Sequence, residues 1–189
     1  MHALFSLQRD HRLLLELTDA LEVFASRLMD SGAIGRDAVR SFAHAFREFA
    51  DQIHYEKEEH VLLPCLVRHG FDFDAGLLER TRGDHSHERY LIDVLSHAAE
   101  CEKDFTQDDR RRLSSTARTL AEVQRSLLIK QDNELFPAVT SSLDRRALEK
   151  LFADLSEFDF YSSERSRELR GLIGELAQQF GSPSLEQRG

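Results

Sequence analysis

Histidine and glutamate side chains at metal-ligand spacing are the residues of this sequence that could do chemistry. His54 and Glu58 are four residues apart, so on a helix they share one face, about 6 Å apart along the axis. His11 and His85 stand within the apolar rows of two other helical segments. Imidazole nitrogens and a carboxylate suit iron, zinc, manganese or nickel, so these four residues are predicted to bind a metal ion.

A second interpretation of the same residues is a core that holds a few hydrogen-bonded histidines and no metal. The cost of burying Glu58 argues against it. A carboxylate buried without a cation would lose several kcal/mol or would take up a proton. Residue chemistry alone leaves both interpretations open.

The segment that begins at His54 occurs twice in the sequence. Residues 54–64 read HYEKEEHVLLP and residues 127–137 read LLIKQDNELFP, with lysine aligned on lysine and proline on proline. In the second copy, Leu127 and Gln131 replace the histidine and the glutamate. Leucine cannot coordinate a metal ion, and glutamine offers only a neutral amide oxygen. The second copy is therefore predicted to be a defective ligand pair.

Helical periodicity places the two copies differently relative to the core. The apolar row of the fourth helical segment consists of Leu113, Ala117, Leu120, Gln124, Leu127, Gln131 and Leu135. The stripe of the second segment is centred on Phe42, Phe46, Phe49 and Ile53. At the α-helical angle of about 100° per residue, His54 lies off that centre and Glu58 lies further away. This geometry predicts that the defective pair lies inside the core and the intact pair at its edge.

Long helical segments joined by short connections account for most of the chain. Residues 1–142 are divided into four such segments, without strand alternation, by breakers at 31–35, 68–74, 102–106 and 137–142. This pattern predicts an all-α fold, an up-down-up-down four-helix bundle. One or two extra helices are expected in residues 143–180, packed on the bundle, and a flexible tail in residues 181–189. Predicted helix N-caps are Asp74, Thr106 and Asp144.

Composition excludes several classes of partner. A formal net charge of −9 argues against nucleic acid and against anionic membrane surfaces, since both require a basic face. The longest apolar stretch, residues 61–67, is far shorter than a membrane span. Neither a signal peptide nor a Cys-x-x-Cys pair is recognisable. The sequence therefore predicts a cytoplasmic protein in which Cys65 and Cys101 are reduced, partly buried thiols.

Taken in order along the chain, these features resemble the hemerythrin-like HHE cation-binding proteins over about residues 5–140. The segments that carry the resemblance are Asp10-His11, His54 with Lys57-Glu58-Glu59 and Leu62-Leu63-Pro64, Asp84-His85 with Arg89, and Ile129-Lys130 with Asp132 and Leu135-Phe136-Pro137. The resemblance implies a four-helix bundle around a di-iron centre. Such a centre would bind dioxygen, handle nitric oxide, or sense oxygen or iron.

The same resemblance implies a role for each candidate ligand. His11 and His54 would hold one iron. His85 would hold the other iron, and Glu58 would bridge the two. The fourth helix should add a histidine and a second bridging carboxylate, where the defective copy has leucine and glutamine. Two ions bridged by a single carboxylate would repel each other strongly in a low-dielectric core, so at most one ion is expected.

The expected function is therefore metal binding, with iron favoured and zinc or another divalent ion as the alternatives. An ion with open coordination positions would bind or sense a small diatomic ligand, oxygen or nitric oxide. The alternative is a metal-free interaction or regulatory module that retains the fold. The sequence defines no substrate pocket, so no enzymatic activity is expected. Assembly into a homo-oligomer is possible.

Overall fold

Helices make up most of the part of the chain that the structure describes. The computed structural model describes residues 3–30, 35–72, 76–101 and 104–181, and these residues contain no β-strand. The α-helices are α1 (Phe5–Asp30), α2 (Arg36–Ala45), α3 (Leu63–Arg68), α4 (Leu77–Glu100), α5 (Gln107–Lys130), α6 (Phe136–Ser142), α7 (Arg145–Tyr161) and α8 (Ser163–Phe180). Three π-helical segments are π1 (Phe46–Tyr55), π2 (Glu58–Leu62) and π3 (Gln131–Leu135). The predicted all-α class is confirmed.

The π-helical segments lie inside two long continuous helices. Residues 36–68 form one helix through π1 and π2, and residues 107–142 form another through π3. Pro64 follows π2 and Pro137 follows π3. Each of these prolines is the second residue of the α-helical segment that follows, and a proline is tolerated in the first turn of an α-helix. The predicted break at residues 137–142 is therefore wrong, because the helix continues to Ser142.

A layer of polar side chains separates two apolar clusters along the bundle. The larger cluster includes Leu14, Phe24, Phe42, Ile53, Leu91 and Leu127. The smaller cluster includes Leu4, Leu7, Leu62, Leu66, Leu78 and Leu135. Between them along the long helices lie the buried side chains of His11, Glu58, His85 and Gln131. The polar layer is therefore enclosed by apolar packing on both sides.

The four long helices contact one another in pairs. Helix α1 packs along α5, and α4 packs against both α2 and α5. The alternating up-down direction of these helices stays a prediction. Two of the predicted N-caps are confirmed: Thr106 forms a capping box with Asp109, and the Asp144 side chain accepts from Ala147 N over 2.8 Å. The third, Asp74, lies outside the described residues.

Helices α7 and α8 continue the chain beyond the bundle. Helix α8 packs against α1 and α2, and α7 contacts π2. The ring of Phe180 lies 5.5 Å from those of Phe24 and Phe42. The domain boundaries at 142 and 180 stay predictions, and residues 182–189 of the predicted tail lie outside the described part.

The two cysteines and the membrane expectation can be compared with the structure directly. Cys65 is buried, whereas Cys101 is exposed, so the prediction that both are partly buried is wrong for Cys101. This residue directly follows α4, where the chain leaves the helix. None of the helices in the described ranges is long and apolar enough to cross a membrane.

Candidate metal centre

Three buried side chains converge in the polar layer. His11 comes from α1, His54 from π1 and Glu58 from π2. One ligand atom of each lies within 4.8 Å of the other two. Metal–ligand bonds of about 2.1 Å allow two ligands of one ion to lie at most about 4.2 Å apart. A small inward movement of the side chains would therefore be enough for one ion to contact all three.

Unpaired polar atoms mark this cluster as a place for a cation. His11 Nε2, His54 Nε2 and Glu58 Oε1 are buried and have no hydrogen-bond partner among the described residues. His54 Nε2 lies 3.7 Å from Glu58 Oε1, which is too far for a hydrogen bond. An unsatisfied buried polar atom costs about 1–3 kcal/mol, so such atoms are rare in native structures. Two imidazole nitrogens and a carboxylate oxygen fit a divalent metal ion.

Asp132 orients the imidazole of His11. The Nδ1 atom of His11 lies 2.9 Å from Asp132 Oδ1. A carboxylate only accepts hydrogen bonds, so Nδ1 carries the proton and donates it. In the neutral ring, Nε2 then keeps its lone pair for a metal ion. Carboxylates commonly hold metal-binding histidines in this way.

His54 is held as a neutral imidazole by its burial. Burial lowers the pKa of His54, although the charges of Glu58 and Asp10 act in the opposite direction. Asp10 Oδ2 lies 3.7 Å from His54 Nδ1. The His54 side chain has no exposed surface, so the ring is fixed in the core. A neutral buried imidazole is the form that binds metal.

The other oxygen of Glu58 is fully occupied. Gln131 Nε2 donates to Glu58 Oε2 over 2.7 Å. His85 Nε2 lies 3.0 Å from the same oxygen. Burial would raise the pKa of Glu58, but the neighbouring histidines lower it below its usual value. Glu58 therefore presents one free oxygen, Oε1, to His11 and His54.

His85 sits between two glutamates. Its Nδ1 lies 2.7 Å from Glu59 Oε1, and its Nε2 faces Glu58. Burial would lower the pKa of His85, but hydrogen bonds and charges from the two carboxylates raise it to about 9. In the absence of a metal ion, this raised pKa favours the ring with protons on both nitrogens.

The structure brings three of the four predicted ligands together and leaves the fourth outside the group. His11, His54 and Glu58 form the cluster, and His85 contacts the far side of Glu58. Metal coordination by any of the four stays a prediction. Leu127 and Gln131 are both buried, in agreement with their predicted position in the core. The remaining histidines of the described residues are exposed: His44, His60, His69, His87 and His97.

A second buried polar cluster lies one helical turn from His85. The hydroxyl of Tyr55 contacts Glu88 and lies 3.1 Å from Gln124 Oε1, and all three side chains are fully buried. Burial raises the pKa of Glu88 to about 8. A protonated Glu88 can donate to the Tyr55 oxygen, which leaves the hydroxyl proton for Gln124. The Tyr55 ring also stacks on His85 at 3.9 Å.

Sequence reasoning missed the supporting roles of Asp132 and Lys57. The partner of Asp132, His11, is 121 residues away in the sequence, and no local pattern pairs them. Lys57 is completely buried, although lysine is normally exposed. The sequence feature that pointed to these two residues is that a lysine and an acid occur at the same places in both copies of the repeated segment, Lys57 with Glu59 and Lys130 with Asp132.

Comparison with known protein families agrees with this geometry. The family model described as the hemerythrin HHE cation-binding domain matches residues 2–139. That range contains all three clustered side chains and ends within α6, so α7 and α8 lie beyond it. Among curated protein sequences, none matches this chain.

Proposed function

From the premise that this chain belongs to the hemerythrin HHE cation-binding domain family, we propose that it binds one divalent metal ion through His11, His54 and Glu58. Iron is the favoured ion. The observation that carries the proposal is the cluster of buried, unpaired ligand atoms on these three side chains. One cation in contact with all three ligand atoms would compensate for the hydration that these atoms lose on burial.

The surroundings of Glu58 support one ion and argue against two. Gln131 Nε2 donates a hydrogen bond to Glu58 Oε2, the oxygen that a second ion would need. Leu127, one turn before Gln131 on the same helix, is a buried apolar side chain that offers no ligand atom. His85 brings a positive charge to the same oxygen, because its pKa is raised to about 9. A second divalent ion at this place would meet a cation and no terminal ligand.

A small ligand fits this centre better than a large substrate. When bound, iron would supply open coordination positions for a diatomic molecule such as oxygen or nitric oxide. A narrow crevice of about 10 Å³ reaches the neighbourhood of Leu127 and Gln131 between α4 and α5. This volume corresponds to about one water molecule. None of the three clustered side chains lines this crevice, which would lead a small molecule toward Gln131, the hydrogen-bond partner of Glu58.

A metal-free interaction or regulatory module is the second candidate. The ion pair between His85 and Glu58 favours it, because it compensates the buried carboxylate without a metal. In this candidate the three-residue cluster would be a remnant of an ancestral site. The unpaired atoms of His11 and His54 are the observation that it leaves unexplained.

Metal analysis distinguishes the two candidates. Protein produced in iron-rich medium is expected to contain one iron per chain or less, and added ferrous or zinc ions should raise the melting temperature of the metal-free protein. His11→Ala and His54→Ala should abolish both effects, whereas His60→Ala, at an exposed position, should change neither. Two tightly bound irons per chain would contradict the one-ion proposal. Equal responses from all three variants would favour the metal-free module.

A further inference from the structure

A buried lysine connects the candidate metal centre to the C-terminal helices. The side chain of Lys57 has no exposed surface. Its ammonium group contacts Asp10 Oδ2, Ser6 Oγ at 3.0 Å and Asp159 Oδ1 at 2.7 Å. A buried ammonium is stable only when opposite charges and hydrogen bonds compensate for its lost hydration. Asp10 and Asp159 supply the two opposite charges.

Asp159 is supplied by a helix outside the family match. The matched region ends at residue 139, and Asp159 lies near the end of α7. Its second oxygen accepts from Arg9 Nη2 over 3.0 Å, so α7 is attached to α1 as well as to Lys57. The Asp159 side chain is 22% exposed, whereas those of Lys57 and Asp10 are 0% and 3% exposed. Helix α7 therefore closes this cluster from the outside.

The same cluster borders all three candidate ligands. Asp10 precedes His11, and Lys57 precedes Glu58. The Asp10 oxygen that contacts Lys57 is also the one that lies 3.7 Å from His54 Nδ1. Asp10 therefore lies next to both His54 and Lys57. The second carboxylate partner of Lys57 is Asp159 from α7.

We propose that Asp159 is a positioning residue for the metal centre, and that ion binding and docking of α7 stabilise each other. The inference rests on the proposed metal binding. Without the Asp159 charge, Lys57 has Asp10 as its one carboxylate partner and draws it away from His54. The Nδ1 side of the imidazole then loses the negative charge that lies 3.7 Å away, and the loss of such outer partners weakens metal binding by histidine. Coupling between two binding equilibria is reciprocal. If docking of α7 strengthens ion binding, a bound ion must therefore also strengthen the contact of α7 with the bundle.

Zinc titration of the full chain tests the first half of this proposal. Asp159→Asn is expected to weaken zinc binding by about tenfold, measured by competition with a chromophoric chelator. Asp159→Glu, which keeps the charge, should recover most of the affinity. Asp154→Asn is the matched control, because Asp154 lies on the same helix and pairs with the exposed Lys150. Equal affinities for wild type and Asp159→Asn, or equal losses in both asparagine variants, would overturn the proposal.

Hydrogen exchange, compared between the wild-type chain and Asp159→Asn, tests the second half. Zinc should slow amide exchange in α7 of the wild-type chain, and it should do so less in Asp159→Asn. If zinc binds the wild type but leaves α7 exchange unchanged, the coupling is refuted while the proposed function stands. If neither zinc nor ferrous ion binds the wild type, the proposed function fails and the inference fails with it.

Discussion

Gln131 donates a hydrogen bond from Nε2 to Oε2 of Glu58 over 2.7 Å, between two helices and with both side chains buried. The family pattern has a second bridging carboxylate at this position. Two carboxylates at these positions would repel each other unless cations lay between them. The Gln131 amide instead attracts the Glu58 carboxylate directly. Glu58 Oε1, on the side of His11 and His54, is left without a hydrogen-bond partner among the described residues.

Restoring the second ligand pair should restore the second ion. Leu127→His together with Gln131→Glu places an imidazole and a carboxylate at two buried positions beside Glu58. The double variant is expected to bind two ions per chain, as measured by elemental analysis after anaerobic loading with ferrous iron. His85 would then have to release the proton of the coordinating ring nitrogen, so the gain should be larger near pH 8 than near pH 6. A stoichiometry that stays at one would contradict this expectation.

The single change Gln131→Glu serves as the control for that experiment. It places two carboxylates in contact within the core and adds no terminal ligand. Removing a buried hydrogen-bond partner costs about 1–3 kcal/mol, and the like charges add to the loss. The metal-free variant should therefore melt at a lower temperature than the wild type. No change in melting temperature would indicate that residue 131 can leave the core.

The hydrogen bond from His11 to Asp132 should tune metal affinity. Asp132→Ala removes the acceptor of His11 Nδ1 and leaves the ring free to rotate or to change tautomer. Loss of such a partner typically weakens metal binding by about 10–100-fold. Zinc titration should show this loss. Glu134→Ala, which removes an exposed ion pair with Arg80, should bind zinc like the wild type.

Glu88 should make the metal-free protein less stable as the pH rises. Burial raises its pKa from 4.5 to about 8, so the folded state binds more protons than the unfolded chain between these values. The contribution of Glu88 to the free energy of unfolding therefore falls as the pH rises through that window. Glu88→Gln should flatten the profile obtained by urea unfolding. Part of the slope between pH 6.5 and about 9 will remain, because the raised pKa of His85 acts in the same direction there.

Glu79→Gln is the matched control for this measurement. Glu79 lies in the exposed first turn of the same helix. Its profile should follow that of the wild type. If Glu88→Gln has the wild-type slope between pH 5 and pH 6.5, Glu88 is ionised in the folded protein.

The hydroxyl of Tyr55 should contribute to stability rather than to metal content. Tyr55→Phe leaves Glu88 and Gln124 without a shared partner in a fully buried place. We expect a loss of about 1–3 kcal/mol in the free energy of unfolding, measured with urea. Tyr161→Phe should lose almost nothing, because Tyr161 is 79% exposed. A metal content below that of the wild type would show that the cluster also supports the centre.

The positions of His54 and Glu58 show where the sequence prediction depended on an assumed helix type. Regular α-helical angles placed this pair at the edge of the core, yet both side chains have no exposed surface. Residues 46–55 and 58–62 are π-helical, and a π-helical turn takes more residues than an α-helical one. The angle assumed per residue was therefore wrong in this part of the helix. The rows on α1 and α5 follow α-helical spacing and were predicted correctly.

Contacts between segments that are far apart in the chain could not be predicted from the sequence. The fold class, the buried row of the fourth helix and the exposed histidines follow from local periodicity. The burial of Lys57 does not, because it requires two carboxylates that lie 47 and 102 residues away. Such partners become visible only when the packing of the helices is known.

The π-helical segments bear on how such proteins can diversify. Both copies of the repeated segment keep a π-helical turn followed by proline, although one copy has lost its ligands. The backbone shape is thus independent of the side chains that would hold an ion. If Leu127→His with Gln131→Glu gains a second ion, two buried side chains set the ion number of this fold and no helix has to be rebuilt.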